Sequence, residues 1–264
     1  MDIHKPKPWH NMREFLKEVG TIVLGVSIAL AAEQAVEWFH WRSQVAQARE
    51  VIAAEMANNL IGAISRVRTI DCAESRLDTL GTILDASART GSLPPVGDIG
   101  MPWRQVYPNG AWESVMASQT ATHFPSQQLA DLSTAYKVIE RLENASNLEL
   151  EAWNSLYAMV GPGRRLDPSS EAKLRDALSQ ARTRARLIAS LGVQMMEAVK
   201  RLNLRFSRES LDQIALAERR PLTLKTDICV PIGAVPTNYG QGYVSRLTGQ
   251  ISETANHLPD FGGE

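Results

Sequence analysis

The stretch that most constrains this chain is Val19–Ala32, VGTIVLGVSIALAA, fourteen residues without a charge. Fourteen helical residues rise about 21 Å, whereas a hydrocarbon core is about 30 Å thick. A crossing therefore needs the flanks, with Phe15, Leu16 and Lys17 upstream and Gln34, Ala35, Val36, Trp38, Phe39 and Trp41 downstream. Trp9, Trp38 and Trp41 bracket the run as aromatic residues do at bilayer interfaces. Lys17 and Glu33 are placed to snorkel toward headgroups at either end.

Three placements fit such a run. A buried soluble helix matches its length. A cleaved signal peptide matches the small residues Ala29-Leu30-Ala31. An uncleaved anchor matches the acidic flank Glu14 and Glu18, which is foreign to a signal peptide's basic start, and the helical pattern that continues past Ala32. The anchor is the expectation carried forward. Lys5, Lys7, Arg13 and Lys17 precede the run, while Arg42 and Arg49 alone follow closely. The positive-inside rule then predicts a cytoplasmic N-terminus and a periplasmic remainder. Thr21, Gly25 and Ala29, each four apart, form a small-residue face. That face either packs another membrane helix or reflects the small-residue content common to such helices.

Composition narrows the partners. A net charge of −1 over 264 residues offers no basic footprint for nucleic acid. His4, His10, His40, His123 and His257 are scattered, and no metal or other cofactor is expected. No glycine-rich phosphate loop, nucleophile elbow or HExxH occurs, so no enzyme is expected either. Cys72 and Cys229 are the only cysteines. In an oxidising compartment they are expected to pair, the alternative being two buried thiols.

Beyond the anchor the pattern predicts an all-α fold. Val45, Ala48, Ile52, Met56, Ala63, Val67 and Ile70, then Leu77, Leu80 and Leu84, keep a helical stripe with no proline before Pro94. One very long helix or two nearly collinear ones should end near Arg89–Gly91, with Thr69 or Asp71 marking a kink. A Gly/Pro-rich loop follows over 91–110, which Trp103 and Tyr107 are expected to pin. A short helix from Ala111 and a long one from Ser126 to about Val160 come next. Asp167 as cap and Pro168 at the first position open another. Its seam runs Leu174, Leu178, Ala181, Ala185, Ile188, Gly192, Met195, Val199 and Leu202 in heptad steps, narrow at Ala181, Ala185 and Gly192. Arg182, Arg184 and Arg186 should form a solvated face. Ser207 should cap a last helix through Ala217. The remainder is expected to lie extended across the bundle, with a weak terminal helix over 241–256. The units are thus a cytoplasmic tail at 1–14, a transmembrane helix at 15–41, a periplasmic bundle at 42–220 and an extended tail at 221–264.

The run EFLKEVGTIVLGVSIALAAEQAVEW at Glu14–Trp38, together with GAWESVMASQ at Gly110–Gln119, resembles an uncharacterised bacterial family of single-pass envelope proteins. The resemblance covers about the first 160 residues and implies topology only. It supplies no site residues, and Gln34 and Ala35 depart from the family's pattern. Two functions compete. One is a structural or interaction component of the cell envelope, contacting the lipid bilayer and a second copy or an envelope protein. The other is a periplasmic ligand-binding sensory module that signals through a partner.

Overall fold

The structure is a computed structural model and describes residues 12–219 and 227–233. It is mostly helical. The first helix, α1 (Met12–Arg68), is followed after one residue by α2 (Ile70–Thr90). The intervening Thr69 turns its hydroxyl back to the carbonyls of Ser65 and Arg66, the local competition by which a β-branched hydroxyl interrupts a helix. The break is therefore one residue wide, and the stripe from Val45 to Leu84 survives it.

Helices α3 (Gly110–Ala117), α4 (Ser126–Leu156), α5 (Pro168–Leu202) and α6 (Arg208–Arg219) complete the set. The cap of α4 falls on Pro125, so Ser126 is its first helical residue, and the helix stops at Leu156 before a 3-10 turn over Tyr157–Met159. Asp167 caps α5 by accepting the amides of Ser169 and Ser170, with Pro168 in the first turn. Hydrogen bonds from the Ser170 hydroxyl and amide hold the exposed Asp167 carboxyl below its ordinary pKa. The predicted 91–110 loop contains a feature absent from the pattern. Ser92–Leu93 (β1) pairs antiparallel with Arg164–Arg165 (β2), tying this loop to the α4–α5 turn.

The helices order themselves around α5. Its C-terminal half lies along α1 and its N-terminal half along α2, with Gly192 against Ala63 and Val67, and Leu178 against Gly81. Arg186 meets Glu74, Arg182 meets Asp78 and Arg175 meets Asp85. Each step forward on α1–α2 matches a step back on α5 across Thr69, so one helix packs along both sides of the break. Arg182 and Arg186 accordingly do not simply splay into solvent; they bridge to α2. The other face of α5 packs antiparallel on α4, and α6 runs beside α1. The narrow seam is real: Ala181, Ala185 and Gly192 are buried. A Cβ on Gly192 would come within 2.7 Å of Val67 and 3.3 Å of the Ala63 carbonyl.

Two apolar clusters result. The one nearer the N-terminal half of α1 joins Ile52, Met56, Leu132, Ile139, Ile188 and Met195. The other joins Leu77, Leu80, Leu84, Trp153, Leu156 and Ala181. Tyr107 is buried and pins its loop, whereas Trp103 is 51% exposed and does not. The expectation of an extended tail needs correction where it can be compared. Asp227–Cys229 forms a 3-10 turn, not a strand, although the segment does pack on the helices through the buried Ile228. The rest of 221–264, including the expected helix at 241–256, lies outside the described residues.

Overpacking tests the seam. Ala185→Leu should destabilise by about 1–3 kcal/mol in thermal or urea unfolding. Gly192→Ala is the finer probe, since helix propensity alone favours Ala by ~1 kcal/mol. A net loss of stability there would measure the contact with Val67.

Candidate functional site

Every residue from Leu16 to His40 is solvent-exposed, and the first buried side chain of α1 is Val45. The helix thus leaves the packed body and projects alone for about 42 Å from His40 back to Met12. It is the one helix among the described residues that is long and apolar enough to cross a membrane, and none of its apolar window is covered by the protein.

Thr21, Gly25 and Ala29 sit on this exposed segment. The Thr21 hydroxyl returns to the Lys17 carbonyl at 2.9 Å, which leaves the face small and internally satisfied, and nothing approaches Gly25. Trp38 remains 54% exposed, with the Arg42 guanidinium 5.0 Å from its ring centre. Trp41 differs. It stacks on His123 at 4.0 Å, and its indole N–H reaches Glu37. It therefore joins the projecting helix to the 3-10 turn Gln119–His123. Trp9 lies outside the described residues.

Between the two apolar clusters lies a polar layer that the hydrophobic pattern conceals. On α1 and α2 the clusters part between Ala63 and Ala73, and on α4 between Ala145 and Ala152. Arg66 and Glu149 fill these gaps. One Arg66 nitrogen donates to both Glu149 oxygens, at 2.7 and 2.6 Å, with both side chains only 6% exposed. Burial pushes the Glu149 carboxyl above its ordinary pKa, against the opposing pull of Arg66. The Trp153 N–H pulls the same way as Arg66 without reaching hydrogen-bond geometry. Tyr107 borders the layer and is pushed up to about 12, chiefly by burial. Its amide donates to Glu143, and Asn59 donates to the Pro108 carbonyl, so this loop is stitched to α1 and α4. Nearer the projecting helix, Glu55 accepts the Tyr136 hydroxyl at 2.5 Å and the Ala111 amide at 2.9 Å. Trp112 of the GAWESVMASQ segment stacks on Tyr136.

The sequence carries a signal for Arg66 and Glu149 that hydrophobic periodicity alone does not register. Arg66 lies three residues from Ala63, and Glu149 four from Ala145, both at core spacing. A charge on an apolar stripe of each of two helices is the pattern of a buried pair.

Cys72 and Cys229 are brought together, with Cα atoms 4.9 Å apart and sulfurs at bonding distance. One turn along α2, the buried Arg76 donates to the carbonyls of Ile99 and Val230. The Gly233 amide bonds the Asp98 carbonyl, and its Cα would lie 2.8 Å from a Cβ on Gly97, so only glycine permits that approach. The segment 227–233 is thus held by a covalent bond, a guanidinium and a close backbone contact.

Two measurements follow. The pair should be strongly coupled: removing either charge alone costs about 3–5 kcal/mol, while Arg66→Met with Glu149→Leu is neutral or stabilising. Because Glu149 is raised in the folded state, its neutral form's contribution is complete below the ordinary value of 4.5 and is lost as pH rises through the folded one. Relative to the double variant, the wild-type melting temperature should therefore fall as pH rises over that window. For the cysteines, alkylation of denatured, unreduced protein should find no thiol, and two after reduction. The bridge closes a separation of 157 residues, for which chain entropy gives about 5 kcal/mol as an upper figure. No protein-family model matches the chain, and comparison with curated proteins and with solved structures returns no significant similarity.

Proposed function

We propose that this chain is a membrane-anchored, periplasmic helical-bundle protein that serves as a structural or interaction component of the bacterial cell envelope, without enzymatic activity. The observation that carries this reading is the projecting segment of α1: continuous helix, apolar, and wholly uncovered by the rest of the chain. A core helix of a soluble protein would be buried. A cleaved leader has no need of the unbroken helix that runs from Met12 into the packed body as far as Arg68.

The remaining features support the same reading. The Lys/Arg excess before Val19 favours a cytoplasmic N-terminus. The cysteine pair suits an oxidising compartment. Continuity of α1 through the Trp41–His123 stack links the anchor rigidly to the folded body, as suits a part that positions itself relative to the membrane. Thr21, Gly25 and Ala29 present the face on which a second membrane helix, from another copy or an envelope partner, would pack.

The full chain should resist carbonate extraction from bacterial membranes. An alkaline phosphatase reporter fused after Glu264 should be active, and a reporter that works only in the cytosol should be silent. Mass spectrometry should find the N-terminus upstream of Ala32. Release by carbonate, an inactive phosphatase fusion or a mature chain beginning at Ala32 would each defeat the reading.

A further inference from the structure

An open cleft of about 1080 Å³ runs between α1, the start of α4 and the turn after α5. Arg42, Arg49, Arg201 and Arg205 line it, all four exposed, against two carboxylates, Glu50 and Asp131. Elsewhere the arginines at helix contacts are matched, since Arg66, Arg175, Arg182 and Arg186 each meet a carboxylate. Among the described residues none of the four cleft arginines forms a salt bridge. Arg49 donates to the neutral Gln128 side chain and lies over the Phe124 ring, and Arg42 lies over Trp38. Arg201 feels only Glu197, a carboxylate that already accepts from Lys200. Asp131 is likewise engaged, by the Gln127 amide. Leu204 and Phe206, both half-buried, add apolar surface beside the guanidinium groups.

Such a surface suits an acidic stretch of chain that also carries apolar side chains. Among the segments outside the described residues, only one has that character. Residues 1–11 carry Lys5 and Lys7 against Asp2, and residues 220–226 carry Arg220 and Lys225 with no carboxylate. Residues 234–252 carry Arg246, also without a carboxylate. Residues 253–264 carry Glu253, Asp260 and Glu264 and no lysine or arginine, with Leu258 and Phe261 on either side of Asp260.

The tether reaches. The cysteine bridge and the Gly233 amide hold the start of this run on α2 and on the 91–110 loop. From Glu50, in the cleft wall, to Cys72 is roughly 33 Å of helix. The stretch from Gly233 to Glu253 extends to about 66 Å. Exposed ion pairs are individually weak, but a tethered segment meets its site at an effective concentration on the order of millimolar. We infer that the segment 253–264 docks in the cleft of its own chain. Its carboxylates face the guanidinium groups of Arg42, Arg49, Arg201 and Arg205, and Leu258 and Phe261 lie on Leu204 and Phe206. Docked there, it closes this surface to other acidic partners. The inference goes beyond the proposed function and holds on either side of a membrane.

The test places the photoreactive residue p-benzoylphenylalanine at position 261 of the full chain, purified in nonionic detergent with the bridge intact. After irradiation, peptide mass spectrometry should join position 261 to residues 42–54, 125–131 or 201–210. R42Q/R49Q/R205Q should lower that yield by about fivefold at an unchanged melting temperature. R165Q, which removes an exposed arginine at the far end of the body, should leave the yield as it was. The segment's own neutralised form, E253Q/D260N/E264Q, should lower the yield as the arginine variant does, and it takes that variant's place if the latter melts early. Absence of a crosslink to the cleft, or a yield that survives neutralisation of the segment, overturns the inference. Irradiation of mixed isotope-labelled and unlabelled protein should give crosslinks within single chains. Crosslinks joining labelled to unlabelled peptides would make a second copy the occupant and overturn the assignment. Detergent-solubilised protein gives this answer whether or not the anchor reading stands, so the two fail separately.

Discussion

The antiparallel contact of α5 with both α1 and α2 is the constraint on which the rest of the body depends. Three small residues, Ala181, Ala185 and Gly192, lie buried on this helix, and at Gly192 it approaches so closely that even a Cβ would meet Val67 at 2.7 Å. Dispersion and apolar burial grow with such proximity, since a gap of even a fraction of an ångström forfeits much of the contact energy. Because α5 spans the break at Thr69, it also splints α1 to α2. The ion pairs from Arg175, Arg182 and Arg186 follow that register rather than create it. They are exposed or half-exposed, and such pairs contribute little individually.

The Arg66–Glu149 layer acts differently. Burying two charges is costly, so the pair is not the source of stability that its short distances suggest. What it does supply is a penalty for every misaligned arrangement of α1 and α4. Sliding either helix by a turn would place a lone charge in an apolar cluster. The raised Glu149 carboxyl is the visible cost of this arrangement.

At the opposite extreme of solvent contact stands the projecting part of α1. The same helix that is buried from Val45 onward carries an uninterrupted apolar surface before it, and only the environment changes. Trp41 marks the junction, with its ring against His123 on one side and exposed helix on the other. The body below that junction is pinned at its far end, where the Cys72–Cys229 bond and Arg76 hold the segment 227–233 on α2.

Read alone, the sequence specifies the helices, most of their ends and the one stretch long and apolar enough to cross a membrane. Periodicity records which face of each helix is apolar, and caps such as Asp167 with Pro168 act over three or four residues, so both are written locally. It also bore the cysteine pairing, because two cysteines allow only one intramolecular bridge. Tertiary structure alone decided the rest. The pairing of Ser92–Leu93 with Arg164–Arg165 joins segments that are too short to carry a strand pattern. Trp41 came to stack on His123, and Trp103 stayed exposed while Tyr107 went in, because an aromatic residue in a loop carries no period to say which way it faces. Arg42 and Arg49 of α1 line one cleft with Arg201 and Arg205 around the end of α5, about 150 residues away, and a run of sequence cannot show that charges so distant will share one surface. That convergence follows from the direction in which α5 runs, and the direction follows from packing.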